Sequence, residues 1–401
     1  MNNKGFDINL HFIIAIACIT VLAPFAIDAY LPALVDIAID LQTFDGLVQL
    51  TIAIFLLGFS LGPLIFGPIS DQIGRKRLII LSLISFCLFS ILCSISTNIY
   101  LLIIFRFFQA VSGSISTVCG RAALADILKG NDLAKTYSLL GLILTIAPIL
   151  APIIGGWINV FFGWRYIFYF MSLSSLVFLI IAYLKIPETL KLENRSPCIF
   201  SKLFSNYLKI ILDKTSMAYI LLLSSSSAVY FSFIAASPFL YINKFNLSPV
   251  MYSYVFGLGA LIAALANLLN IKLTSIFGYK NILLWSCVFI IINAFLLLLG
   301  GFNYIGRWAF FLSGLLFMGL FHVSNANALT GLMDQFDKGK GTATALAFFF
   351  RFGLGMVGAI TVSIFNNGTV FPYVFTVMFF SLLALISGLF VNMSENKKST
   401  L

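Results

Sequence analysis

Apolar runs of about 20 residues, the length a helix needs to cross a hydrocarbon core, recur twelve times along this chain. They fall near residues 11–35, 46–69, 78–96, 99–122, 137–160 and 165–185, then near 217–241, 250–271, 282–300, 306–331, 342–364 and 371–391. The composition is 61% hydrophobic and only 9% charged. Soluble domains carry about a quarter charged residues, so a water-soluble enzyme, a disordered chain and a fibrous protein are excluded. The expected fold is an all-α integral membrane protein with twelve transmembrane helices in two pseudo-symmetric six-helix bundles. What remains to be read is the purpose of its few polar residues.

The two sets of six spans are separated by the densest charge in the chain, including Glu188, Lys191, Glu193, Arg195, Lys202, Lys209, Asp213 and Lys214, with Pro187 and Pro197. Three parts are expected: an N-terminal bundle at 1–185, a cytoplasmic linker at 186–216 and a C-terminal bundle at 217–401. The loops after the second and eighth spans share a pattern, with Gly74 and Lys76 in one matched by Gly278 and Lys280 in the other, about half the chain apart. Weak internal symmetry of this kind marks transporters built from two parallel halves. The first apolar stretch is too long for a signal-peptide core and is expected to be a retained span.

The net charge of +10 does not imply a nucleic-acid partner, because the basic residues sit in short loops between apolar runs. With the N-terminus in the cytoplasm, Lys4, Arg75, Lys76, Arg77, Lys129, Lys135, Lys185, Lys272, Lys280, Lys338, Lys340 and the linker cations fall on one side, and Lys244 on the other. The positive-inside rule then places both termini in the cytoplasm. Cys18, Cys87, Cys93, Cys119 and Cys287 lie inside apolar runs and Cys198 in the linker. No Cys/His cluster suits a metal, and no cofactor is implied.

Three motifs resemble those of the major facilitator superfamily. Gly67, Asp71, Gly74, Arg75 and Lys76 are similar to its motif A loop, with Gln72 where the family has Arg. In the family this loop is thought to latch the halves. Physically, Gly74 permits a tight turn, the cations hold the loop in the cytoplasm, and Asp71 can accept from helix-end amides or pair with a cation. Arg106 and Gln109 resemble R-x-x-Q-G, with Ala110 for Gly. Gly141, Pro148, Pro152, Gly155 and Gly156 resemble the antiporter motif C, and a kinked, tightly packed fifth span is expected. The stretch Asp28-Ala29-Tyr30-Leu31-Pro32-Ala33 is similar to a signature of the Bcr/CflA drug-resistance transporters. That resemblance implies a proton-coupled exporter of small, largely apolar neutral or zwitterionic compounds of the bicyclomycin or chloramphenicol type. It also implies a monomer in the bacterial inner membrane, whose partners are substrate, protons and lipid.

Asp28 is the one acid well inside an apolar run, since Asp36, Asp40 and Asp45 are expected in the first outer loop. A charge at such depth costs about 3 kcal/mol unless paired or facing water, so a functional role is the default, and a carboxylate snorkelling near the interface is the bland alternative. By helical rise Asp28 and Arg106 both lie about 12 Å below the outer surface, level enough for an ion pair or water-bridged pair that couples a proton to conformational change. Arg351 is either a structural cation or a substrate contact. His322 suits an interhelical hydrogen bond or a proton relay. Tyr30, Gln109, Tyr230, His322, Asn325, Asn327 and Arg351 are the candidate substrate-cavity residues. Arg121 is expected to snorkel or to pair with Asp126 or Asp71. A metabolite carrier of the same fold, for an amino acid or siderophore, is the alternative. A membrane-embedded transferase is remote, because no second intramembrane acid or paired His/Asp motif is present.

Overall fold

The structure, a computed structural model, describes residues 10–195, 200–336 and 339–399; Lys4, Pro197, Cys198 and Lys338 lie outside them. The described residues contain no strand, and twelve helices are long and apolar enough to cross a membrane. The first bundle comprises α1 (Leu10–Asp28), α2 (Leu34–Asp40), α3 (Asp45–Ile73), α4 (Arg75–Ser94), α5 (Ile99–Ile127), α6 (Gly130–Phe162) and α7 (Trp164–Lys185). A further helix, α8 (Phe200–Leu212), lies in the linker. The second bundle comprises α9 (Lys214–Pro238), α10 (Pro249–Phe277), α11 (Tyr279–Gly301), α12 (Arg307–Asp334), α13 (Lys340–Ile364) and α14 (Phe371–Ser399). Between the bundles, α3 packs on α13 and α6 on α10.

The first span departs from its expected form. It runs from Phe12 to Asp40 and is broken after Asp28, passing through a turn at Ala29–Tyr30 and a 3-10 turn at Leu31–Ala33 before resuming as α2. Pro32 sits in the first turn of that 3-10 segment, where its missing N–H leaves no bond unmade. Asp36 and Asp40 are therefore helical rather than in a loop. Asp36 accepts a hydrogen bond from the Asn159 amide of α6. Asp40 accepts one from Trp164 Nε1 at 3.1 Å and pairs with Arg165 at 2.5 Å.

Turns built on glycine give the two halves the same device. Gly74, between α3 and α4, has φ +109°, and Gly278, between α10 and α11, has φ +76°. L side chains rarely adopt this region, so each helix can end and the next begin without a loop.

Close packing explains part of the motif C pattern. The helix α6 runs through Pro148 and Pro152. A Cβ on Gly155 would collide with the Ala29 carbonyl, in the break of the first span, and one on Gly156 with the Ser253 hydroxyl of α10. Gly141 does not fit the expected packing role, since nothing lies within 4 Å of where its Cβ would stand. Gly67 likewise makes only ordinary contact, 3.8 Å from Val118.

The hydrogen bonds described between the bundles lie at one end, called here the closed end. Ser363 Oγ donates to the Gly46 carbonyl at 2.5 Å, Asn366 Nδ2 to Gln49 Oε1 at 3.2 Å and Asn243 Nδ2 to Asp45 Oδ2 at 3.5 Å. The opposite, basic end carries Arg75, Lys280 and Lys340.

Substituting Gly155→Val should lower the Tm of the purified protein by several degrees, because overpacking against fixed backbone costs about 1–3 kcal/mol. Gly141→Ala should leave it unchanged. Equal unfolding temperatures for the two variants would remove the Gly155 contact from this account.

Candidate functional site

Arg106 is fully buried in α5, and its guanidinium is enclosed by aromatic rings. Its central carbon stands 4.2 Å from the Phe55 ring centroid, 4.6 Å from Tyr30 and 5.8 Å from Phe168. One nitrogen, Nη1, donates to Gln109 Oε1 at 2.7 Å and to the Ala26 carbonyl at 3.3 Å. The other two, Nε and Nη2, are buried without a hydrogen-bond partner. A guanidinium is weakly hydrated and planar, so aromatic faces compensate its charge better than they would an ammonium.

The direct ion pair expected between Asp28 and Arg106 does not form in this arrangement. No described hydrogen bond or ion pair reaches the Asp28 carboxylate, although the side chain is only 5% exposed. Depth along a helix sets height and leaves azimuth open. Arg106 turns inward toward α3 and α7, while Asp28 stands just before the 3-10 turn that packs on α9 and α10, the helices of Tyr230 and Tyr252, across the bundle boundary. Tyr252 in turn shares a 2.9 Å hydrogen bond with Ser237. Arg106 nonetheless grips the chain on both sides of Asp28, through the Ala26 carbonyl and the Tyr30 ring.

The seven expected cavity residues divide into three groups. Tyr30 and Gln109 belong to the Arg106 enclosure rather than to a cavity wall. Tyr30 is fully buried with its hydroxyl 3.0 Å from Thr51 Oγ1, and the Gln109 amide donates to Ser90 Oγ at 2.7 Å. Asn325 and Asn327 make hydrogen bonds between helices: Ser227 Oγ donates to Asn325 Oδ1 at 3.3 Å, and Asn327 Nδ2 donates to Asn270 Oδ1 at 2.8 Å. Tyr230, His322 and Arg351 do assemble. Tyr230 stacks on Phe321 with centroids 4.0 Å apart, its ring lies 6.3 Å from that of His322, and the Arg351 guanidinium is 5.1 Å from Phe321.

At the basic end, the motif A residues form a compact network. Arg75 is buried, pairs with Asp71 at 2.5 Å and with Asp126 at 3.1 Å, and donates to the Ser70 hydroxyl. Its backbone N–H donates to Glu188 Oε1 at 2.9 Å, and Thr189 Oγ1 donates to Asp126 at 2.9 Å. Lys76 Nζ donates to the Tyr183 carbonyl at 2.9 Å. These partners belong to the first bundle and the linker, so in this state the motif A residues tie helix ends together rather than bridging the halves. Because Arg75 holds both acids, the expected pairing of Arg121 with Asp126 or Asp71 does not form.

The reading of isolated polar residues overlooked Tyr252 and underrated Arg121. Tyr252 had no signal beyond being a tyrosine near a helix start. The signal for Arg121 was the competition between two nearby arginines for the same two acids. A pocket at the closed end is lined by Asp45, Gln49, Asn243, Asn366, Phe239 and Tyr373, among others, and by none of the expected cavity residues.

A family model described as Major Facilitator Superfamily matches residues 16–360. The chain is 29% identical over 388 residues, 97% of each protein, to a bicyclomycin resistance protein homolog of Haemophilus influenzae. It is 34% identical over 166 residues, 41% of this chain and 42% of the other, to the multidrug resistance protein MdtL of Salmonella paratyphi C. Among solved structures it resembles a D-xylose-proton symporter, with TM-score 0.76 and 15% identity over 95% of this chain and 96% of the other. It also resembles the peptide transporter POT, with TM-score 0.77 and 12% identity over 98% and 96%. At those identities the solved structures speak to the fold alone.

The enclosure of Arg106 can be told from an ion pair by stability. Arg106→Lys should cost about 1–2 kcal/mol, because a compact ammonium loses the stacking and leaves Gln109 and the rings poorly filled. Asp28→Asn should leave Tm nearly unchanged. A loss of several degrees in the aspartate variant would restore the ion pair, since removing one partner of a buried pair strands the other.

Proposed function

Because the chain belongs to the Major Facilitator Superfamily, whose members are membrane transporters and not enzymes, we propose that it is a proton-coupled exporter of the Bcr/CflA type. Its cargo in this reading is small, largely apolar and neutral or zwitterionic, of the bicyclomycin or chloramphenicol kind. The two bundles, 1–185 and 217–401, rock about a site at their boundary, joined by the linker at 186–216. The weight of lysine and arginine at one end supports a cytoplasmic position for that end and both termini, and the resemblance implies a monomer in a bacterial inner membrane. The structure then corresponds to a state closed toward the outside.

One observation carries the coupling. Asp28 is a buried carboxylate with no described hydrogen bond or ion pair, just before the 3-10 turn at Leu31–Ala33 that packs on α9 and α10 of the other bundle. A proton taken up from outside removes this charge beside the bundle boundary and changes the balance between the bundles. The bundles then turn inward, and cargo binding favours release of the proton to the cytoplasm. One proton moving through 100 mV supplies about 2.3 kcal/mol toward the cycle. Arg106 serves as a positioning residue, holding the broken turn that carries Asp28.

The test is proton flux in inside-out vesicles on adding chloramphenicol, for wild type and Asp28→Asn. The variant should lose cargo-linked proton movement while remaining folded. Undiminished flux would reject Asp28 as the coupling group. Competition by chemically unrelated drugs supports a multidrug exporter, whereas competition by close analogues of one amino acid or siderophore alone would favour a metabolite carrier.

A further inference from the structure

Arg121 of α5 and Arg351 of α13 come from opposite bundles and share one aromatic ring. Their guanidinium carbons stand 5.9 Å and 5.4 Å from the centroid of Phe348. Their separation is thus at most the sum of those distances, and the charge of Arg121 acts on Arg351. Both side chains are half-buried, and no ion pair is described for either.

The other buried or half-buried arginines of the chain are compensated. Arg75 has Asp71 and Asp126, Arg165 has Asp40, Arg195 has Glu188, and Arg106 has its aromatic enclosure and Gln109. Among the described residues no acid forms an ion pair with Arg121 or Arg351, the unpaired Asp28 included. Asp71 and Asp126 are taken by Arg75, α9 and α13 contain no acid, and the acids of α3 and α12 lie in their terminal turns. Arg351 Nε is buried without a hydrogen-bond partner. Arg351 lies over the rings of Phe321, Phe348 and Phe352, but neither arginine has an ion pair, and two like charges that meet across the bundle boundary describe a site whose counter-charge arrives from outside the chain.

We propose that Arg121 and Arg351 form a two-sided anion site spanning the bundle boundary, and that the exported molecule is an amphipathic organic anion or zwitterion bearing a carboxylate or similar oxyanion. The planar forks suit an oxyanion approached from two sides, each offering paired N–H donors. Phe348, between them, and Phe321, carrying Arg351 on one face and stacked on Tyr230, supply flat apolar walls for the rest of the molecule. A strongly cationic cargo is excluded by the same charges. The inference rests on the transport reading above but moves its cargo class from neutral compounds toward zwitterions and anions. Its test reads binding rather than flux, so a failure of proton coupling would leave it standing.

The experiment follows the thermal unfolding of the full-length protein in neutral detergent with benzoate, and with benzamide as the uncharged isostere. Benzoate should raise Tm by about 2 °C at saturation, and benzamide should not. The shift should vanish in Arg121→Gln and Arg351→Gln, return in part in Arg351→Lys, and persist in Arg307→Gln, which lies at the closed end. The absence of a benzoate shift in the wild type, equal shifts from benzoate and benzamide, or a shift that survives both glutamine variants would overturn the proposal. A parallel arm in phosphatidylcholine nanodiscs with and without phosphatidylglycerol separates cargo from lipid. Stabilisation by phosphatidylglycerol that needs both arginines and abolishes the benzoate effect would assign the site to a lipid headgroup, and overturn it as a cargo site.

Discussion

A charge placed between packed helices loses its hydration, and the chain must return that loss with an opposite charge, a hydrogen bond or a polarisable face. The described polar residues sort themselves by how this is done. Arg75 is surrounded by Asp71, Asp126 and Ser70 at the end of two helices, a fixed structural solution. Arg106 is surrounded by rings from Tyr30, Phe55 and Phe168. Asp28, Arg121 and Arg351 have no described ion pair; the two arginines share the Phe348 ring across the seam between the bundles, and Asp28 stands just before the turn that packs on the other bundle. The residues that a rigid protein would neutralise are the ones placed where its halves move apart.

The break in the first span is what puts Asp28 there. A continuous helix through Pro32 would have lost a backbone hydrogen bond in its interior, and the chain instead turns at Ala29 and restarts at Leu34. The turn is clamped from two directions. Gly155 lets the α6 backbone close on the Ala29 carbonyl, and Arg106 reaches the Ala26 carbonyl and the Tyr30 ring. Motif C glycines, the arginine of the fourth span and the signature around Asp28 therefore act on the same few backbone atoms, although they lie far apart in the sequence. The neighbouring Gly156 meets Ser253 of α10, so the helix that seats this turn also touches the other bundle. Any movement of α10 against α6 is felt one residue from the contact that positions the acid.

Some of this was legible in the sequence. The twelve spans and the two halves follow from hydropathy run lengths, and the turns at Gly74 and Gly278 from a local requirement for positive φ. Pro32, following the lone acid, marked a place where regular helix is unfavourable. What could not be read was azimuth. Helical rise correctly set Asp28 and Arg106 at similar depth, yet the direction of the guanidinium depends on Phe55 and Phe168, which come from other helices and carry no sequence relation to it. Arg121 was misjudged for a related reason. Asp126 is its near neighbour in sequence, but Arg75 arrives from across a helix turn and takes that carboxylate first. Gly141 shares the pattern of Gly155 and Gly156 but faces open space, because it lies about four turns away toward the basic end.

Closure of the basic end, the movement that would follow cargo loading, brings α5 toward α13 and thus Arg121 toward Arg351. At an effective dielectric of about 20, two unit charges about 8 Å apart repel by about 2 kcal/mol, and more as they approach. An empty site therefore resists closure. An oxyanion between the forks turns that repulsion into attraction on both sides, so closure becomes favourable only when the site is filled. In the proposed antiport cycle, the charges proposed to select the cargo also keep the empty, unprotonated carrier from cycling.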